Sequence, residues 1–350
     1  MVMRSVQAAA LAFGLFALAA ISCAPAGAGN YVYTSIDAPG ATATYPTDIN
    51  DQGAVAGVYI TSQDSPQYGF VWVDGALTTF TPHQAKKSLS VAGIDAHGAV
   101  ALTASDTKTG GSHAKLWHPG GASLRLPTQP GAIAWATGIN GPGDVVGATE
   151  PTLGSSSRTG FLFHAGQLQP VVFPGAALTT PSGIGNDGTV IGNYSAGDTD
   201  PAHGFTYQNG TYQSFDPPGS IYTIVNSINA HGDIAGTFYT AELGTGTLGY
   251  VLSGGKFHIL AVKRGKDYVN QVPWAASGHQ AVVNFYNLLN EIAFTRVHGT
   301  YYKILPFGST NSYIYAGNRA GTLAGIYQGS DGLTHGFVAV CPAGQSPCTN

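Results

Sequence analysis

Apolar residues in this chain come in short runs separated by polar turns, and the segment 43–80 shows the pattern most plainly. Ala43–Ile49 leads into the turn Asn50-Asp51-Gln52-Gly53. Ala54–Ile60 follows, alternating small and larger apolar residues, and gives way to a polar stretch, Thr61–Gln67. Tyr68–Val73 then meets Asp74-Gly75, and Ala76–Phe80 closes the unit. Runs of β-branched and aromatic residues bounded by Gly, Asn and Asp are strand signals. The Gly three residues after the Asn supplies the positive φ of a tight hairpin, and Asn can hold the turn through its own side chain. Helical periodicity is nowhere convincing. The unit therefore predicts a four-stranded antiparallel meander.

The same pattern returns along nearly the whole chain as Ile-Asn-x-x-Gly-x-x-x-Gly. It is clear at Ile49-Asn50 with Gly53 and Gly57, at Ile139-Asn140 with Gly143 and Gly147, and at Ile228-Asn229 with Gly232 and Gly236. Degenerate copies sit at Ile94-Asp95, Ile184-Gly185, Ala276-Ser277 and Gly317-Asn318. The anchors 50, 95, 140, 185, 229, 277 and 318 are separated by 45, 45, 45, 44, 48 and 41 residues. A fixed period in this range marks a solenoid, a propeller or an array.

The ends of the chain select among these. The seventh repeat runs through His335–Val340, its third strand, and stops. Tyr33–Gly40 mirrors the fourth strand of repeat four, Tyr212–Gly219, and each Tyr lies 17 residues before the next turn Asn. The predicted fold is all-β: a seven-bladed β-propeller over residues 30–340, its ring closed by the N-terminal strand, which hides an exposed edge.

Residues 1–29 read as a secretory signal peptide. Arg4 precedes an apolar stretch from Ala8 to Ile21, too short to span a bilayer, and small residues follow as cleavage sites. A second reading makes Cys23 a lipid-modified N-terminus, because Ala20-Ile21-Ser22-Cys23 resembles a lipobox. The expected location is secreted or periplasmic. Export would leave Cys341 and Cys348, seven apart in the tail 341–350, and this pairing reads as a disulfide staple. No later segment is long and apolar enough to span a membrane.

Only 9% of residues are charged, against about a quarter in typical domains. The 49 glycines and 20 prolines suit a chain dense in turns. A net charge of -4 without a basic run excludes a nucleic-acid partner. A monomer without cofactor or metal is expected.

The segments Gln67–Trp72, Ser112–Trp117, Ala202–Phe205 and Thr334–Phe337, together with the Asn-x-x-Gly-x-x-x-Gly element, resemble the HAF-type (His-Ala-Phe) extracellular repeats of bacteria. The resemblance covers nearly all of the chain after residue 29 and fails in repeat six, at Ala276–Gln280. It implies export and a repeat fold, and no catalytic residue.

Chemistry is sparse. His113, His203 and His335 share one repeat position, which Tyr68, Thr159 and Leu248 fill elsewhere. Equivalent positions on different blades do not gather, so these histidines read as repeat packing. His97 and His231 read as exposed turn residues. No metal motif or nucleophile elbow is present, and Asp198-Thr199-Asp200 is too short for a calcium loop.

Loops alternate between the two faces of a meander. The Asn turns and the strand 3–4 hairpins are short and share one face. The strand 2–3 loops and the crossovers between repeats share the other and vary. Irregular loops on a rigid scaffold carry function, so that face and the mouth of the central channel are the expected site. The crossover between repeats five and six is the least regular. It offers Lys263, Arg264, Lys266, Asp267 and Tyr268, with Trp274 and His279 after it and Asn287, Asn290 and Glu291 in the next strand 2–3 loop. Such groups suit an anionic sugar or an acidic peptide. A second basic crossover holds His83, Lys86 and Lys87.

Two readings of function follow. The first is a non-catalytic recognition module for a polysaccharide or an extracellular protein. The second is a lyase or glycosidase for acidic glycans. A lyase would pair Lys263 or Arg264 with Tyr268 or His279. A glycosidase would pair two of Glu150, Asp200, Glu242 and Glu291.

Overall fold

The computed structural model describes Gly27–Ala28 and the chain from Asn30 to Pro342, except residues 82–84, 107–110, 130, 242–246, 261–262, 265–266, 269–270, 278–279, 287–290 and 298–299. It is all-β. Repeat one forms the strands Ala43–Ile49, Val55–Ile60, Tyr68–Val73 and Ala76–Phe80, paired antiparallel in sequence order. The second strand starts one residue later than the apolar pattern suggests, because Ala54 belongs to the turn. Repeats two to five each form a separate four-stranded antiparallel sheet. Repeat six does the same over Gln271–Ile304, with Gly27–Ala28 parallel against its last strand. In repeat two the first strand spans Ala85–Ile94, so Lys86 and Lys87 lie in a strand where a loop was expected.

The chain ends meet in one sheet. Val32–Ile36 pairs antiparallel with the last strand, Thr334–Val340. Ala43 makes a single parallel pairing with Thr334, which joins the first repeat to the last. Ile36 is 1% exposed and packs with Ile49, Phe70 and Val338.

Each first strand carries a bulge three residues before its anchor. The register slips between Pro46 and Asp48, between Ala136 and Gly138, and at the matching place in all seven repeats. Repeat six keeps the slip, between Pro273 and Ala275, although its turn motif is lost. A bulge sharpens the local twist and bends the strand. The repeat is therefore conformational as well as sequential.

The second Gly of the motif serves this bend. A Cβ on Gly147 would fall well inside van der Waals contact with the Trp135 carbonyl oxygen and 2.5 Å from Cζ of Phe161. The ring of Phe161 thus lies on the bare backbone of Gly147. Phe70 covers Gly57, Phe205 covers Gly192, Tyr250 covers Gly236 and Phe337 covers Gly325 in the same way. Those rings are fully buried and fill the space toward the preceding sheet. The core is a series of such layers. Between repeats one and two, for example, Val71 and Phe80 meet Leu89, Val91, Leu102 and Trp117.

Candidate functional site

The turn Asn residues do more than shape their own turns. The Oδ1 of Asn50 accepts the backbone N–H groups of Gln52 and Ala54, at 3.1 and 2.9 Å. Its Nδ2 donates to the carbonyl of Asp95, the next anchor, at 2.7 Å. Asn140 likewise donates to the carbonyl of Gly185, and Asn318 to that of Asn50, 268 residues away. An amide can accept within the turn through its oxygen and donate out of it through its nitrogen, which a carboxylate cannot. Asp95 lacks that donor. There the link runs from the backbone N–H of Ala96 to the carbonyl of Gly141, at 3.2 Å. These anchors are buried, Asn140 to 3% exposure. The 45-residue recurrence of one amide was the available signal, but pattern alone shows the turn and not the partner.

These turns surround an open cavity of about 190 Å³ lined from repeats one, two, three, four, five and seven. Its neck is apolar: Ile49, Ile94, Ile139, Ile184 and Ile228 occupy the same place in successive repeats. One charge interrupts this neck. Asp48 stands where the other repeats carry Gly, Ser or Ala. Its Oδ1 accepts from Ile49 N–H and its Oδ2 from Ile94 N–H, both at 2.9 Å. Burial raises its pKa to about 7, against the lowering effect of those two hydrogen bonds. The rim adds Asp51, Gln52, Asn186 and Arg319. Arg319 lies 3.6 Å from Asp51 across the join of repeats seven and one. The cavity opens among the short regular turns, whereas the sequence placed most weight on the irregular loops.

The irregular loops hold ion pairs instead. Nδ1 of His203 lies 2.7 Å from Asp216, and Nδ1 of His335 lies 2.6 Å from Asp37. Asp216 and Asp37 occupy equivalent places just beyond the fourth strand, so each histidine ties strand three to the chain leaving strand four. That partnership was readable in the matched segments Phe215–Gly219 and Ile36–Gly40. Nε2 of His335 also meets Asp331 at 3.1 Å. Glu150, a candidate catalytic acid, accepts from Nε and an Nη of Arg158 at 3.0 and 2.7 Å, while the guanidinium sits 5.2 Å over Trp135. Among the described residues no three His, Cys, Asp or Glu side chains gather as metal ligands.

The two carboxylates raise the pKa of His335, although burial pulls it down. The charged imidazole is thus favoured in the folded state. Its stabilisation is complete below the unfolded histidine value and is lost as pH rises through the folded one. The melting temperature of the native chain should exceed that of His335→Gln by on the order of 2 °C at pH 6 and by less at pH 9. A margin that grows with pH would contradict the pairing.

Of the binding residues expected from the sequence, Lys263–Arg264 and Asp267–Tyr268 form a two-residue antiparallel ladder. Its register sets Lys263 against Tyr268 and Arg264 against Asp267. Trp274 is the bulge residue of repeat six, and Glu291 opens that sheet's third strand. Lys266, His279, Asn287 and Asn290 lie outside the described residues, as do Glu242 and Cys348. Cys341 packs, partly buried, against the core layer that holds Ile314, Phe337 and Ala339.

No established protein-family profile matches the chain, and no curated protein matches it in sequence. Solved structures do match. The β-propeller domain of the trilobed protease from Pyrococcus furiosus, described as an open velcro topology, aligns over 88% of this chain and 98% of its own, at 9% identity and a TM-score of 0.59. YCF48 bound to D1 peptide aligns over 91% and 98%, at 10% identity and a TM-score of 0.55. TolB from Acinetobacter baumannii aligns over 71% of this chain, at 13% identity and a TM-score of 0.50, and this chain spans 62% of its length. The neighbours of this all-β chain are β-propellers. Among the described residues no helix is long and apolar enough to cross a membrane.

Proposed function

We propose that the chain is an exported, non-catalytic recognition module that binds a polysaccharide or an extracellular protein. Its body, residues 30–340, is a seven-bladed ring closed by Val32–Ile36. Residues 1–29 are the leader, and Cys341–Cys348 staples the tail. The resemblance to HAF-type repeats supports export. The pairing of the first and last strands and the bond from Asn318 to Asn50 support closure.

The observation that carries the reading is the convergence of turns from six repeats on one cavity with an apolar neck and a polar, charged rim. A rigid rim that offers amide, carboxylate and guanidinium groups suits multipoint recognition. Among the neighbours, YCF48 is bound to D1 peptide, which supports a binding role.

A screen of residues 30–350 against arrayed glycans and envelope proteins, with the same pools checked for degradation, tests it. Specific binding without cleavage is expected, weakened about tenfold by Asp51→Ala or Arg319→Ala, the size of one charge-assisted hydrogen bond. Silence in both assays would overturn the reading.

One observation favours the second reading, a lyase or glycosidase for acidic glycans. The ladder pairs the backbone of Lys263 with that of Tyr268, residue types that a lyase would use as the cation for a uronate and the phenol that moves a proton. Unsaturated, ultraviolet-absorbing product that disappears in Tyr268→Phe would put this reading first.

A further inference from the structure

One volume and one depth decide what the cavity among the turns can hold. At about 190 Å³ it lies below the range of about 300–1,000 Å³ usual for sites that enclose a drug-sized ligand. It has room for a single side chain and not for a run of sugar rings. Asp48 stands two residues before the turn residue Asn50. At about 3.3 Å per residue its carboxylate belongs to a level about 7 Å along the strand from the rim.

The first strand of repeat two makes room for that carboxylate. A Cβ on Gly93 would lie 2.7 Å from Oδ2 of Asp48 and 2.9 Å from Cγ2 of Ile139. The acid therefore shares the space over bare backbone with a methyl group of the isoleucine neck. Gly93, Gly138 and Gly183 occupy the place of Asp48 in repeats two, three and four, and Ser227 occupies it in repeat five. Those repeats form the same bulged strand without an acid there. An ionised carboxylate has about four acceptor sites. The N–H groups of Ile49 and Ile94 take two of those on Asp48. Arg319 is the one cation among the described residues that line the cavity, and it sits at the rim beside Asp51.

We infer that the cavity receives a lysine side chain of a partner protein, its ammonium on Asp48 and its stem among Ile49, Ile94, Ile139, Ile184 and Ile228. The inference rests on the recognition reading and chooses the protein partner over the polysaccharide. A compact ammonium on a flexible four-carbon stem matches a charge set within an apolar neck. A guanidinium asks for two parallel acceptors, and here each oxygen already faces a backbone N–H. Anionic sugars and acidic peptides meet a like charge at Asp48.

Titration calorimetry on the purified chain tests it with capped glycine pentapeptides whose central residue is lysine, acetyl-lysine, norleucine, arginine or glutamate, and with a hexauronate. About five buried non-hydrogen atoms limit the lysine peptide to a micromolar Kd at best. It should bind about tenfold or more tightly than the acetyl-lysine and norleucine peptides, which keep the stem and lack the charge. Asp48→Gly installs the residue of repeats two, three and four and should abolish that preference in a chain whose circular dichroism is native. Asp48→Ser, the residue of repeat five, should do the same. Equal affinity for the lysine and norleucine peptides would overturn the inference, as would a preference for arginine, glutamate or the hexauronate. So would a lysine preference that survives both substitutions. If a glycan or protein from the screen binds and Arg319→Ala weakens it while the peptides bind alike, the lysine site falls and the recognition reading stands. If the screen is silent as well, both fall.

Discussion

Deleting residues 30–38 is expected to cost at least about 5 kcal/mol, on the scale of an entire domain's stability, and to replace one cooperative unfolding transition by a broad one. Five residues of this segment pair with the last strand. Tyr31 and Ile36 are buried in layers that also hold residues of repeats one, six and seven, and Ala38 is buried as well. The hydroxyl of Tyr31 meets that of Thr295 at 3.1 Å. Without the segment, Phe337 and Val338 lose their cover and an open edge remains. Urea unfolding followed by circular dichroism and by tryptophan fluorescence would measure this. Ile36→Asp, a carboxylate at a site 1% exposed, should produce a similar loss with the chain length kept. A deletion variant with the native midpoint and slope would show that the first strand is dispensable.

Gly147→Ala is the second large effect, expected at about 3 kcal/mol despite adding one methyl group. The new Cβ meets a carbonyl oxygen on one side and the Phe161 ring on the other, so neither can yield without breaking the bulge. Gly53 offers the contrast. Its φ is +86° with nothing within 4 Å of an added Cβ, so Gly53→Ala carries only the left-handed penalty of about 1 kcal/mol. Denaturant midpoints of the two variants separate crowding from backbone strain. Equal losses would mean that the Phe161 layer yields easily.

The strands of repeat one were legible almost to the residue, because Asp74-Gly75 and Asn50–Gly53 punctuate runs of unambiguous β character. The extended strand at Ala85–Ile94 was not, since His83, Lys86 and Lys87 look like a solvated crossover until Ala85 is seen opposite Asp106. The cavity was hidden for a different reason. Ile49 and Ile228 read as strand ends, and nothing local shows that five such isoleucines share one neck. His203 and His335 read as packing residues until Asp216 and Asp37, just beyond the fourth strands and in one case 298 residues away, are seen against them.

Period, strand type and turn chemistry are local properties, and the sequence by itself determined them. Each depends on residues within about a hairpin's length, where alternation and a positive φ leave few options. Partnership depends on distance through space. Only the tertiary structure decided that the turn Asn donates to the next repeat, that Asp48 stands alone in an apolar neck, and that Gly93 of the next repeat leaves room for its carboxylate. All three arise where different repeats meet, and there burial, register and long-range pairing set the contacts.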